Sequence, residues 1–158
     1  MYIQSKRLKP GDRDAARRLF ATMAETFEEN SETLSDGYLD RLLAREDFWA
    51  IAAFADDQII GGITAHTLPM TRTASSEVFI YDIAVRSDYR RMGVGRRLMT
   101  ELRESAAASG IGVLFVAADN DDAQALDFYR ALGGTPSPVT FFTLKLRDGS
   151  GPGANGLA

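Results

Sequence analysis

The chain has 158 residues, a net charge of -4, 45% hydrophobic and 25% charged residues, no cysteine and one histidine. That length and balance suit one soluble domain whose core needs no covalent or metal staple. The missing cysteines exclude disulfides, thiolate zinc sites and cysteine nucleophiles, and a lone His66 argues against a histidine-built metal centre.

No apolar run approaches the ~20 residues of a membrane span. Met1 to Pro10 lacks the apolar centre of a secretory signal, so the chain reads as cytoplasmic with no membrane partner. Net acidity argues against nucleic acid as a partner. The charges are segregated: Glu25 to Asp47 and Asp119 to Asp127 are rich in carboxylates, whereas Arg86, Arg90, Arg91, Arg96, Arg97 and Arg103 crowd one stretch. If folding keeps these groups together, one surface suits a cation and another an anion.

Tyr2 to Leu8 reads as a first strand. Pro10, Gly11 and Asp12 mark a turn and a helix start. Leu19, Phe20, Met23 and Phe27 recur at helical spacing, predicting a helix over Asp12 to Phe27. Ser35 is placed to cap a second helix carrying Tyr38, Leu39, Leu42 and Leu43. Phe48 to Ala55 and Gln58 to Thr67 read as a hairpin turning at Asp56-Asp57, with Trp49 in the core. Leu68 to Ser76 is expected as a loop. His66, a lone strand histidine able to titrate near neutrality, reads as structural first and as a substrate contact second.

Glu77 to Val85 is the clearest strand, apolar enough for burial on both faces. A helix is predicted from about Gly93 to Ser109, stopped by Gly110. Ile111 to Ala118 is expected as a strand, Asp121 or Asp122 to cap a helix running to Leu132, and Val139 to Leu146 as a last strand. Asp148 to Ala158 is Gly-rich and reads as a disordered tail after a single domain at 1–147. An antiparallel run followed by strand-helix-strand-helix-strand implies a layered α/β (α+β) domain with a mixed sheet.

The sharpest local feature is Arg90-Arg91-Met92-Gly93-Val94-Gly95, between a buried strand and a helix. The first helical turn leaves amide N–H groups unpaired and partly positive. Glycines let backbone approach a phosphate closely, and arginines add charge-assisted bonds. The spacing is neither a P-loop nor the dinucleotide fingerprint. It describes a seat for a pyrophosphate.

This hexapeptide resembles the (Gln/Arg)-x-x-Gly-x-(Gly/Ala) motif of the GNAT acetyltransferases. The preceding Ile83-Ala84-Val85, the intervening Ser87-Asp88-Tyr89 and the later Ala125-Leu126-Asp127-Phe128-Tyr129-Arg130-Ala131-Leu132-Gly133 are similar to that family too. The resemblance implies a GNAT fold, with a mixed central sheet splayed between its fourth and fifth strands and helices on both faces. It implies acetyl-CoA as cofactor, with Arg90, Arg91, Met92, Gly93, Val94, Gly95 and Arg96 at the pyrophosphate. Backbone of Ile83, Ala84 and Val85, together with Asn120 and Tyr129, would meet the rest of the coenzyme. Tyr129 would stand near the thioester sulfur, where a phenol can protonate a departing thiolate.

Amine acetylation needs a place for a cation and a route for its proton, and carboxylates supply both. Asp82, a carboxylate inside an otherwise apolar strand, is the first candidate base, with Glu77 a second acting through water. Glu28, Glu29, Tyr81, Asp119, Asp121 and Asp122 are candidate substrate contacts. Tyr81-Asp82-Ile83-Ala84-Val85, Thr67-Leu68-Pro69 and Asp119 ten residues before Tyr129 resemble the gentamicin-type aminoglycoside 3-N-acetyltransferases, over roughly Tyr38 to Leu144. That implies a cationic small-molecule amine as substrate, and a homodimer is compatible with it. The same motifs would serve an acetyltransferase for a polyamine or a protein N-terminus, or a non-catalytic acetyl-CoA-binding module.

Overall fold

The computed structural model describes residues 2–147, and the expected tail at 148–158 lies outside them. The elements run β1 (Ile3–Arg7), α1 (Arg13–Thr26), α2 (Asp36–Leu43), β2 (Phe48–Ala55), β3 (Gln58–Pro69), β4 (Ser76–Val85), a 3₁₀ turn (Ser87–Tyr89), α3 (Val94–Ala108), β5 (Leu114–Val116) and α4 (Ala123–Ala131). The chain divides into two compact units after Phe115. No helix among the described residues is long and apolar enough to cross a membrane.

The first unit is built on a sheet in the order β1-β2-β3-β4-β5. The first three pairings are antiparallel, and β5 runs parallel to β4. β2 supplies both cores because successive side chains leave a strand on opposite faces. Phe48, Ala50 and Ala52 pack with Ala16, Leu19 and Met23 of α1 and Leu39 and Leu43 of α2. Trp49, Ile51 and Ala53 are buried on the other side, where α3 crosses β2, β3 and β4 with Leu98 and Leu102 fully enclosed. Small residues make the α1 side thin. Gly62 has no room for a side chain, since a Cβ there would stand 2.6 Å from the carbonyl oxygen of Ile51 and run into Leu19. Its hydrogen is what lets α1 close onto β3.

Local chemistry sets the element ends. Ser35 Oγ accepts from the Tyr38 amide at 3.1 Å, the expected cap of α2. Asp12 precedes α1, but its carboxylate accepts from the Lys9 amide at 2.8 Å and from Lys6 at 3.1 Å instead of capping the helix. Asp56 takes the left-handed conformation of the tight β2–β3 turn, φ 53°. Gly110, φ 81°, ends α3.

Three expectations need correction. β3 runs on through Pro69, which pairs with Ser76, so the loop is only 70–75. Pro69 has no N–H to give the ladder and is tolerated as the last residue of the strand. The strand expected over Ile111 to Ala118 shrinks to Leu114–Val116. Ile111 is still engaged by the end of α3, its amide donating to Ala106 O at 3.0 Å, and Asp119 O already accepts the Asp122 amide in the next turn. Residues 139–146 form no strand among the described residues. Alternating Val, Phe and Leu make a strand-competent segment, but a strand exists only where a neighbour completes its ladder.

Candidate active site

β4 carries the acceptor candidates. It pairs with β3 in a register that slips between Thr64 and Ala65, leaving Tyr81 as the extra residue of a β-bulge between Asp82 opposite Thr64 and Ile80 opposite Ala65. Val78 and Ile80 are buried on the α3 side. Thr64, His66, Phe79, Tyr81 and Asp82 are half-buried. Cross-strand pairing puts Phe79 opposite His66 and His66 opposite Phe48, so this row lies on the α1 face.

Asp82 is therefore a carboxylate held against an apolar sheet. Burial pushes its pKa up to about 6, and the negative charge of Glu29 adds to the rise. The same surroundings raise the Tyr81 phenol: burial first, then the charges of Asp82 and Glu29. Tyr81 thus stays a protonated donor at neutral pH. His66 is held below its ordinary value by burial, against the opposing pull of Asp47, and is a neutral imidazole at neutral pH.

Glu29 reaches this group through the end of α1. The Glu28 amide donates to Glu25 O at 3.0 Å and the Glu29 amide to Ala24 O at 2.9 Å. That is the Schellman arrangement, in which the residue after the cap is left-handed and usually glycine. Here it is Glu28, at φ 56°. A side chain in that conformation costs about 1 kcal/mol, and the turn carries the chain back so that Glu29 acts on Asp82. Glu28 itself is exposed. Glu77 lies on the same β4 face as Phe79 and Tyr81 but opposite Leu68, toward the start of the strand.

The turn after β4 has the features of an anion seat. Arg86 N–H donates to Ile60 O at 2.8 Å, anchoring the strand end, and the Arg86 guanidinium pairs with Asp88 at 2.9 Å. Arg90 Nε donates to Val85 O at 3.3 Å. Arg91, φ 61°, and Gly93, φ 78°, are both left-handed, a conformation that curves backbone so that successive amides converge on an anion. Among the described residues, Gly93 begins α3 with no side-chain acceptor on the first turn, and a Cβ there would meet nothing within 4 Å. Arg91, Met92 and Arg96 are exposed around this opening. The N–H groups of the first turn, open space before them and flanking guanidinium groups fit a diphosphate.

In the second unit, Asp122 Oδ1 accepts from the Ala125 amide at 3.0 Å, so Asp122 is the cap of α4. Asp119 O accepts the Asp122 amide and Asp121 O the Ala123 amide, a tight turn that also holds Asn120. Tyr129 lies on α4 with its ring 5.2 Å from that of Phe128, and its carbonyl accepts the Gly134 amide at 2.9 Å.

The first unit thus brings together Tyr81, Asp82 and Glu29 on the α1 face of the sheet and places Arg90 to Arg96 in the turn and helix start that follow the same strand. Sequence reasoning passed over Phe79 and Thr64, and weighed His66 as structural first and as a substrate contact second. Alternation along β4 was the available signal, since 77, 79 and 81 must share a face.

An aminoglycoside acetyltransferase, HMB0005, from an uncultured soil metagenomic sample is 32% identical, with 93% of this chain and 100% of that chain covered and a TM-score of 0.87. A second soil metagenomic aminoglycoside acetyltransferase, meta-AAC0020 in complex with sisomicin, is 28% identical over 92% of this chain and 97% of that one, TM-score 0.87. An uncharacterized protein of Mycobacterium leprae (strain TN) is 36% identical over 98 residues, 60% of this chain, and the match spans 25% of that longer protein. Residues 14–133, which include β4, the turn and α4, match the acetyltransferase (GNAT) family. The chain belongs to that family.

Proposed function

We propose that the protein transfers the acetyl group of acetyl-CoA to the 3-amino group of the 2-deoxystreptamine ring of an aminoglycoside, by direct attack in a ternary complex. The observation that carries this reading is the half-buried Asp82 carboxylate, raised to about 6 by burial and by Glu29. A base poised near neutrality can take a proton from a bound ammonium and return it to solvent.

Bound at the α3 start, acetyl-CoA supplies an acetyl thioester, an acyl donor with a good leaving group. Arg90, Arg91 and the amides of Gly93 to Arg96 hold the diphosphate, and the backbone of Ile83 to Val85 aligns the rest of the coenzyme. Glu29 and Asp82 hold the cationic substrate. Asp82 takes the proton from the attacking nitrogen as the new N–C bond forms and the C–S bond breaks. Tyr81 keeps its phenol proton and can donate a hydrogen bond. Tyr129, by family likeness, donates a proton to the departing sulfur, and Asn120 contacts the coenzyme. Asp119 and Asp121 offer further ammonium contacts. The sisomicin complex of the 28% identical relative supports an amino-sugar acceptor.

A thiol-release assay with gentamicin, followed by NMR of the acetylated nitrogen, tests this. Release with acylation at the 3-amino group is expected. Acylation at another nitrogen corrects the regiochemistry. Turnover of spermidine or a peptide N-terminus with none of gentamicin removes the aminoglycoside acceptor, and coenzyme binding without thiol release from any amine removes catalysis.

A further inference from the structure

An aromatic row crosses the α1 face of the sheet. Phe20 of α1 meets Phe48 at 6.4 Å between ring centroids, Phe48 meets His66 at 5.5 Å, and His66 meets Tyr81 at 5.9 Å. Tyr81 meets Phe79 at 6.1 Å, and Phe79 stacks on Phe115 at 5.0 Å with 17° between the planes. The row changes character along its length. Phe48 is buried under α1, but His66, Phe79 and Tyr81 are half-open, and Phe115 is 41% exposed. The opposite face of the same strands is closed, with Val78 and Ile80 no more than 1% exposed.

We infer that His66, Phe79 and Tyr81 form a ring-recognising floor for the acceptor, and that this floor selects a cyclic amine over an open-chain amine of equal charge. The inference rests on the reading of Asp82 as the acceptor end of the site and adds a specificity determinant to it.

Charge identifies the occupant. The open rings lie between carboxylates, with Asp82 and Glu29 beside Tyr81 and Glu77 on the same face beyond Phe79. Carboxylates alone would hold any polyamine. An aromatic face is electron-rich, and it attracts both an ammonium and the weakly positive C–H edges of a saturated ring. A rigid amino-cyclitol presents both at once. It also loses little conformational freedom on binding, whereas a linear diamine must freeze several rotors. Along β4, Glu77 and Asp82 are five residues apart, roughly 15 Å at the rise of a strand. That is wider than one ring, so the floor suits a molecule with more than one.

The role of His66 follows from its neighbours. It is neutral because burial disfavours its charge, with Asp47 and Arg45 acting on it in opposite directions from the α2–β2 connection. As a neutral ring between Phe48 and Tyr81 it continues the floor. Its ring also abuts that of Tyr81, 5.9 Å between centroids, and so helps to hold Tyr81 in the floor.

The test uses cis-1,3-diaminocyclohexane and 1,3-diaminopropane, which share the N–C–C–C–N spacing and the charge and differ in the ring. Calorimetry on the full chain, with coenzyme A present, measures both. The wild-type protein is expected to bind the ring diamine about ten-fold tighter. Phe79→Leu and His66→Leu should each weaken the ring diamine by about five-fold and leave the open-chain diamine within about two-fold. His66→Phe should keep the preference, because it keeps an aromatic ring. Retained coenzyme affinity shows that a variant is folded, and if one leucine variant fails that control the other carries the test. Equal affinity of the wild-type protein for the two diamines overturns the inference, as does equal loss for both in the leucine variants, or loss of the preference in His66→Phe. The same samples with acetyl-CoA report on acetyl transfer separately. Preferential binding without thiol release leaves the floor standing and removes the transferase reading, and thiol release without ring preference does the reverse.

Discussion

Glu29, at the end of α1, acts through its charge on Asp82 in the middle of β4, and together with burial it lifts the Asp82 carboxyl to about 6. The two are 53 positions apart in the chain, and the left-handed turn at Glu28 is what directs one toward the other.

The first prediction concerns pH and rate. If Asp82 is the base, kcat/KM rises through an apparent pKa of about 6 on its acid limb, because only the carboxylate accepts the proton. Glu29→Gln removes the second cause of the shift and leaves burial, so the limb moves down without reaching the ordinary carboxylate value. Asp82→Asn removes the limb and lowers kcat by about 10²–10⁴. Rate profiles from pH 4.5 to 8.5, roughly spanning the limb, decide it. An unmoved limb in Glu29→Gln would separate the pair.

The same residue makes an opposite prediction for stability. Between the unfolded carboxylate value of 3.8 and about 6, the folded protein keeps a proton that the unfolded chain has released. Stability therefore falls as pH rises through that window, and the full penalty stands above it. Asp82→Asn should raise stability at pH 7.5 by on the order of 1 kcal/mol, once solvent screening at a half-open site is allowed for, or about 2–4 °C in Tm. The advantage should vanish below the ordinary carboxylate pKa. Thermal melts of both proteins across pH check the sign, and a variant that is more active and less stable would invert the assignment.

In the turn that follows β4, Arg91→Ala should weaken coenzyme A binding by about ten-fold or more, the loss of a charge-assisted bond to phosphate, while kcat at saturating cofactor changes little. Titration of coenzyme A by calorimetry, with steady-state kinetics beside it, measures the split. A fall in kcat with unchanged affinity would mean that the arginine serves the chemistry instead of the seat.

Packing gives a fourth test. Gly62→Ala places a methyl group against Ile51 O and Leu19, so the β2–β3 backbone must shift and the Leu19 side chain of α1 must give way. The expected cost is about 2 kcal/mol in denaturant unfolding. Leu19→Ala leaves a cavity under the same helix and should cost about 3 kcal/mol alone. Combined, the two should cost somewhat less than their sum, because the cavity relieves the contact with Leu19 while that with Ile51 O remains.

Local patterns proved readable where they are self-sufficient. β2 was legible from Phe48 to Ala55 because an apolar run bounded by charge leaves few alternatives, and the α3 start because glycine and arginine there have a local meaning. Ser35 was legible as a cap for the same reason. What escaped depends on partners distant in the chain. The bulge at Tyr81 exists only in the register with Thr64 and Ala65, and the Glu29–Asp82 coupling only once α1 lies over the sheet. The segment 139–146 has the composition of a strand, and composition alone does not supply a neighbour.

The uncapped beginning of α3 has a practical side. Amides that no described side chain satisfies will donate to whatever oxyanion the solution offers, so phosphate or sulfate buffers should compete with the coenzyme and inflate its apparent KM. By mass action, any occupant of Gly93 and its neighbours also props up the native state, about 2.7 kcal/mol at a hundred times its dissociation constant. Melting curves in an inert buffer then become a direct assay for whatever this opening prefers to hold.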